Sequence, residues 1–129
     1  MTKAETKTSK TVLIVDDDVP VAQSVALVLE DAGYAARQVH DARSALDAMR
    51  GDPPDACVFD VWLDGDDGLA LAEEARMLGL PLVVMSGGGP GRSLESVTAK
   101  ADALGAAAML FKPFDDDELT DAIAKAMKR

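Results

Sequence analysis

TVLIVDDD, residues 11–18, is a short apolar run that ends abruptly in three carboxylates. A run of this length reads as a buried strand. No Gly-rich phosphate loop separates Val15 from Asp16, which excludes the usual nucleotide-binding α/β folds.

Outward from that strand, apolar runs recur at Ala56–Phe59, Pro81–Met85 and Ala106–Phe111, with a weaker one at Ala35–His40. The stretches between them carry helical spacing. Val21, Val25, Val28 and Ala32 form one stripe, and Ala42, Ala45, Leu46 and Met49 a second. Leu71, Ala75 and Leu78 form a shorter third, Leu94, Val97, Ala101 and Leu104 a fourth, and Leu119, Ala122, Ile123 and Ala126 a fifth. The punctuation agrees. Pro20 suits a first helical turn and Gly33 a C-terminal cap. Asp18 and Asp41 suit N-caps, Gly79 and Gly105 end the third and fourth helices, and Asp115 with Glu118 reads as a capping box.

The order is therefore β-α repeated through the chain, an α/β fold with a doubly wound parallel sheet covered on both faces. With 129 residues there is one domain, residues 11–129. Residues 1–10, MTKAETKTSK, read as a short mobile lead-in with no signal peptide. No apolar run approaches the roughly 20 residues of a membrane span. Lys and Arg number 13 against 23 Asp and Glu, a net charge of −10, which argues against nucleic acid and anionic membranes as partners. The single Cys excludes a disulfide framework and fits a reducing, cytoplasmic compartment.

Ligands of an open parallel sheet bind beyond the carboxyl ends of its strands. Strand one ends in Asp16, Asp17 and Asp18, strand three in Asp60, strand four in Ser86 and strand five in Lys112. Clustered carboxylates need a cation or an ammonium between them. A hard cation with oxygen ligands, Mg²⁺ first, would satisfy Asp16, Asp17 and Asp60, and Lys112 would add a further positive charge. Such a site suits phosphoryl transfer, in which a carboxylate can itself be the nucleophile. Cys57 reads as core, and His40, the one histidine, as the end of a weak strand.

VLIVDDD (Val12–Asp18), FDVWLDGDDG (Phe59–Gly68), LVVMSG (Leu82–Gly87) and FKPF (Phe111–Phe114), in that order, resemble the receiver domain of two-component response regulators. The resemblance runs from about Thr11 to Arg129. It implies a flavodoxin-like (βα)5 fold with strand order 2-1-3-4-5. It implies that Asp60 is the phosphoacceptor, and that Asp16, Asp17, Asp60 and the Trp62 backbone carbonyl hold Mg²⁺. Ser86 and Lys112 are then the residues that meet the phosphoryl group, Gly87 the small residue that leaves access to the acceptor, and Gly68 the family's turn after Asp67. The implied partners are a histidine kinase or histidine phosphotransfer protein, and a downstream protein.

The chain departs from the family pattern at three places. Asp64 stands where a Pro is common, and Met109 where many members carry a Tyr or Phe that changes rotamer. The span Ser86–Gly105 is longer than usual, with the excess in GGGPGRS, which predicts a displaced or delayed fourth helix. Two other readings compete. Asp16 and Asp18 also match the two aspartates in the first motif of haloacid-dehalogenase-type phosphatases, with Asp16 as nucleophile and Asp18 as acid/base. A receiver-like interaction module that is not phosphorylated is the second. The reading carried forward is a stand-alone, non-enzymatic phosphoacceptor with no output domain.

Overall fold

The structure, a computed structural model, describes residues 9–60, 67–87 and 93–128, and for 67–69 and 94 the backbone alone. The expected lead-in lies almost wholly outside the described residues, as do Trp62, Asp64 and most of the Gly-rich loop. The elements are β1 (Thr11–Val15), α1 (Val19–Asp31), β2 (Ala35–Val39), α2 (Ala42–Gly51), β3 (Ala56–Asp60), α3 (Asp67–Met77), β4 (Leu82–Ser86), α4 (Leu94–Leu104), β5 (Ala108–Phe111) and α5 (Asp116–Met127). The five strands form one parallel sheet in the order β2-β1-β3-β4-β5, as the resemblance implied.

Alternation along the central strands sorts the core into two layers, because successive side chains leave opposite faces of a sheet. Leu13, Val15, Cys57, Phe59, Leu82 and Val84 face α2, α3 and α4, whose Met49, Leu71, Val97 and Leu104 cover them. Val12, Ile14, Val58, Val83, Met85 and Leu110 face α1 and α5, whose Val25, Leu29, Leu119 and Ile123 cover those.

Most of the predicted punctuation is in place. Asp18 and Asp41 cap α1 and α2 by accepting the N–H groups of Val21 and Ser44, and Ser93, which the sequence reading did not single out, caps α4 by accepting Ser96 N–H. At α5 the Asp115–Glu118 capping box is complete in both directions. Gly105 closes α4 at φ 74°, a left-handed conformation that a side chain would strain. Three details differ from the sequence reading. The buried stripe of α1 is Ala22, Val25, Ala26 and Leu29, while Ala32 is exposed. In α3, Ala72 joins Leu71 and Ala75 in the core, whereas Leu78 lies past the helix end at 40% exposure. β5 begins at Ala108 because Ala106 N–H still closes the α4 turn onto Ala101 O. The fourth helix begins at Leu94, directly after the Gly-rich stretch.

Candidate functional site

Strand register gathers the candidate residues. Val15 pairs with Phe59, Phe59 with Val84 and Val84 with Met109. The next residues of β1 and β3, Asp16 and Asp60, therefore emerge together at the carboxyl edge of the two central strands. β4 runs one residue further to Ser86, which pairs with Phe111, and the ladder continues as Lys112 N–H donates to Ser86 O at 2.7 Å.

Asp16 is the anchor of this edge. Its side chain is fully buried, with 0% exposure, yet every polar group it presents has a partner. Oδ1 accepts the Asp18 N–H at 2.9 Å, and Oδ2 accepts from Lys112 Nζ at 3.1 Å. Its N–H donates to Val39 O at 3.2 Å, and its carbonyl accepts from His40 Nδ1 at 3.0 Å. Burial disfavours the charged form, so the Asp16 carboxyl is held above its ordinary value. The Asp18 N–H and the Lys112 ammonium oppose that shift, and the nearby Asp60 charge adds to it.

Lys112 also lies 3.6 Å from Asp60 Oδ2, so one ammonium bridges two carboxylates from different strands. Asp60 and Lys112 remain partly open, their side chains 14% and 21% exposed. Oxygens of Asp16, Asp17 and Asp60 all come within 4.8 Å of one another. One of these carboxylates is buried, one half-buried and one exposed. Three carboxylates converging on a point, with solvent on one side, are the donor set that hard divalent cations use. The residues present thus fit a metal ion, with the exposed side left for water or an anionic group.

Ser86 is 3% exposed, and its Oγ donates to the Gly87 carbonyl at 3.2 Å. A Cβ added at Gly87 would stand 3.7 Å from Lys112 Cδ, an ordinary contact distance. Beside Lys112, a groove of about 520 Å³ opens between α1 and the start of α5, lined by Val21, Val25, Phe114 and Leu119.

Asp16, Asp17, Asp60 and Lys112 are thus brought together, and Ser86 is tied to Lys112 through the main chain. The Trp62 carbonyl lies outside the described residues, as does the side chain of Asp67, while the Gly68 backbone falls in the first turn of α3. Asp18, the acid/base of the phosphatase reading, instead spends its Oδ1 as the cap of α1 on Val21 N–H at 3.2 Å. The residue that sequence reasoning undervalued is His40. Its contact is to a main-chain carbonyl, which no side-chain pattern displays.

A family model described as a response regulator receiver domain matches residues 12–124. The transcriptional regulatory protein FixJ of Bradyrhizobium diazoefficiens is 32% identical over 120 residues, spanning 92% of this chain and 57% of FixJ. The nitrogen assimilation regulatory protein NtrX of Azorhizobium caulinodans is 36% identical over 121 residues, spanning 91% of this chain and 26% of NtrX. The chain thus spans about half, or less, of these two relatives. The crystal structure of the receiver domain of NtrX from Brucella abortus has a TM-score of 0.80 at 36% identity, with 91% of this chain and 98% of that one covered.

Proposed function

This chain belongs to the response regulator receiver domain family, and from that premise we propose that Asp60 accepts a phosphoryl group from a phosphohistidine. One observation carries the reading: the partly open Asp60 carboxylate shares Lys112 with buried Asp16, and both converge with Asp17 within 4.8 Å. An Asp60 carboxylate oxygen attacks the phosphorus while the bond from phosphorus to the donor imidazole breaks; the electron pair stays on the imidazole nitrogen, which takes a proton from solvent, leaving neutral histidine on the donor and an acyl phosphate here. Charge on the equatorial oxygens must be met by fixed positive groups. Lys112 meets one oxygen as its ammonium moves from the Asp60 carboxylate to the phosphoryl group, and the Ser86 hydroxyl meets another.

Asp16, Asp17 and Asp60, with the Trp62 carbonyl, would hold Mg²⁺. When bound, the cation neutralises the carboxylates and the incoming phosphoryl oxygens. The donor is a histidine kinase or a histidine phosphotransfer protein, and the groove between α1 and α5 gives it an approach beside Lys112. Output passes to a downstream protein and not to nucleic acid or membrane, in keeping with the acidic balance. In this reading the domain is cytoplasmic, and it is a phosphoacceptor that assists its own turnover without being an enzyme for a second substrate. The domain spans residues 11–129.

Acetyl phosphate with Mg²⁺ should add one base-labile phosphoryl group, seen by intact mass. Asp60→Asn should abolish the addition, and chelation with EDTA should suppress it. Label recovered on Asp16 by peptide mapping would instead establish the phosphatase reading. No label on wild type would leave an unphosphorylated interaction module.

A further inference from the structure

β2 ends at Val39, and the chain then turns into α2 behind the Asp41 cap. At that turn the His40 side chain reaches back and places Nδ1 3.0 Å from the Asp16 carbonyl. A carbonyl only accepts, so Nδ1 carries the proton in this contact. Together with Asp16 N–H on Val39 O at 3.2 Å, both main-chain groups of Asp16 are clamped by the end of β2. The imidazole extends the pairing of β1 with β2 one step past the last residue of β2. That step is where β1 passes into the loop carrying Asp16 and Asp17.

We propose that His40 is a positioning residue for the cation site, fixing the Asp16 main chain so that the carboxylates of residues 16 and 17 are pre-aligned. The inference rests on the reading of Asp16, Asp17 and Asp60 as the Mg²⁺ ligands. Outer partners that orient a ligand group are a recognised lever on metal affinity. Here the lever acts through the main chain, since both Asp16 side-chain oxygens already have partners. Without the clamp, part of the binding free energy would go into ordering the β1–α1 loop.

Isosteres separate this role from packing. The amide nitrogen of Asn sits as many bonds from the backbone as His Nδ1, and that of Gln as many as Nε2. His40→Asn therefore keeps the donor in place, and His40→Gln moves it. Mg²⁺ affinity is read by amide chemical shifts of residues 16, 17 and 60 during titration with MgCl₂ in phosphate-free buffer. His40→Ala and His40→Gln should weaken binding about 10-fold, while His40→Asn should stay within about 2-fold of wild type. The Mg²⁺ midpoint for labelling by acetyl phosphate should move in step, with the plateau at saturating Mg²⁺ preserved. Long-range ¹⁵N correlation of the metal-free protein should place the proton of the His40–Asp16 contact on Nδ1.

Equal affinity in wild type, Ala and Gln variants overturns the positioning role and leaves the receiver reading intact. A loss in Asn as large as in Ala also overturns it, since ring packing would then be what matters. Wild type that binds no Mg²⁺ overturns both this inference and the cation site beneath it. Thermal melts of all three variants in EDTA check that the comparison is made between folded proteins.

Discussion

Lys112 closes a contact across 96 positions of the chain, its Nζ lying 3.1 Å from Asp16 Oδ2. Asp16 is the more buried partner, and the ammonium joins the Asp18 N–H in offsetting part of what the carboxylate lost on leaving water. Lys112→Ala should lower the stability of the metal-free domain by about 1–3 kcal/mol, the cost of leaving a buried acceptor short of a donor. The deficit should shrink in Mg²⁺, since a cation at the same carboxylates replaces the missing charge. Urea unfolding of wild type and variant, each in EDTA and in MgCl₂, measures both effects. A deficit that is the same in both buffers would mean that Lys112 and the cation act on different groups.

Cys57 tests the interior of the α2–α3–α4 layer. Burial pushes its thiol from 9.0 up to about 12. A raised folded value means stability is fully present below the unfolded value and is lost as pH rises toward the folded one. Between about pH 9 and 12 the unfolded thiol ionises while the folded one stays protonated, so this group makes the domain less stable as pH rises. Cys57→Ala should sit lower at neutral pH because a buried atom is gone. Its stability should then fall less steeply than wild type above pH 9. In native protein at pH 8 the thiol should resist an aromatic disulfide reagent and react only on unfolding. Parallel alkaline limbs for the two proteins would contradict the buried-thiol account.

The fold, and the meeting of Asp16, Asp17, Asp60 and Lys112 at one sheet edge, were legible because two simple signals agreed. The central strands are apolar on both faces, as a covered parallel sheet requires, and each chemical residue stands at a strand's carboxyl end. What the sequence left open has physical reasons. The segment VPVAQSVALVLE in α1 is apolar around most of its circumference, so choosing the valines gave a stripe that shares only Val25 with the observed Ala22–Val25–Ala26–Leu29 face. Leu78 continued a helical spacing past the point where α3 stops, because spacing alone does not mark an end. His40 had no partner in any side-chain pattern, since its partner is the Asp16 main chain.

The α5 capping box gives a prediction at a distance from the site. Asp115 Oδ1 accepts Glu118 N–H at 3.0 Å, and Glu118 Oε1 accepts Asp115 N–H at 3.0 Å. Asp115→Ala should cost about 1 kcal/mol, typical for loss of an N-cap oxygen. Glu118→Ala should cost less, and the double variant should cost less than the sum, because either change breaks the reciprocal pair. Chemical denaturation of the four proteins yields the coupling. Strictly additive losses would show that the two bonds act independently.

Met109 shapes the last prediction, which concerns how a phosphoryl group at Asp60 is sensed. Met109 pairs with Val84 in the row just behind the site and packs against the α2–α3–α4 core layer. Many members of the family carry a Tyr or Phe there that changes rotamer, and a thioether has no ring to turn. The Ser86 hydroxyl has a second route. It bonds the Gly87 carbonyl at 3.2 Å, and the chain from Gly87 leads to Ser93, whose Oγ caps α4 through Ser96 N–H at 3.2 Å. A phosphoryl oxygen that draws the Ser86 hydroxyl away would free that carbonyl and shift the entry into α4. Fixing backbone in a Gly-rich segment costs roughly 1–2 kcal/mol per residue, so the response should be confined to a few residues. Beryllofluoride with Mg²⁺ should therefore raise hydrogen-exchange protection across residues 93–100, while the Met109 methyl resonance moves only slightly. Ser86→Ala should remove the change in protection yet leave Asp60 able to bind beryllofluoride. Unchanged exchange at 93–100 together with a large Met109 shift would place the switch on β5 after all.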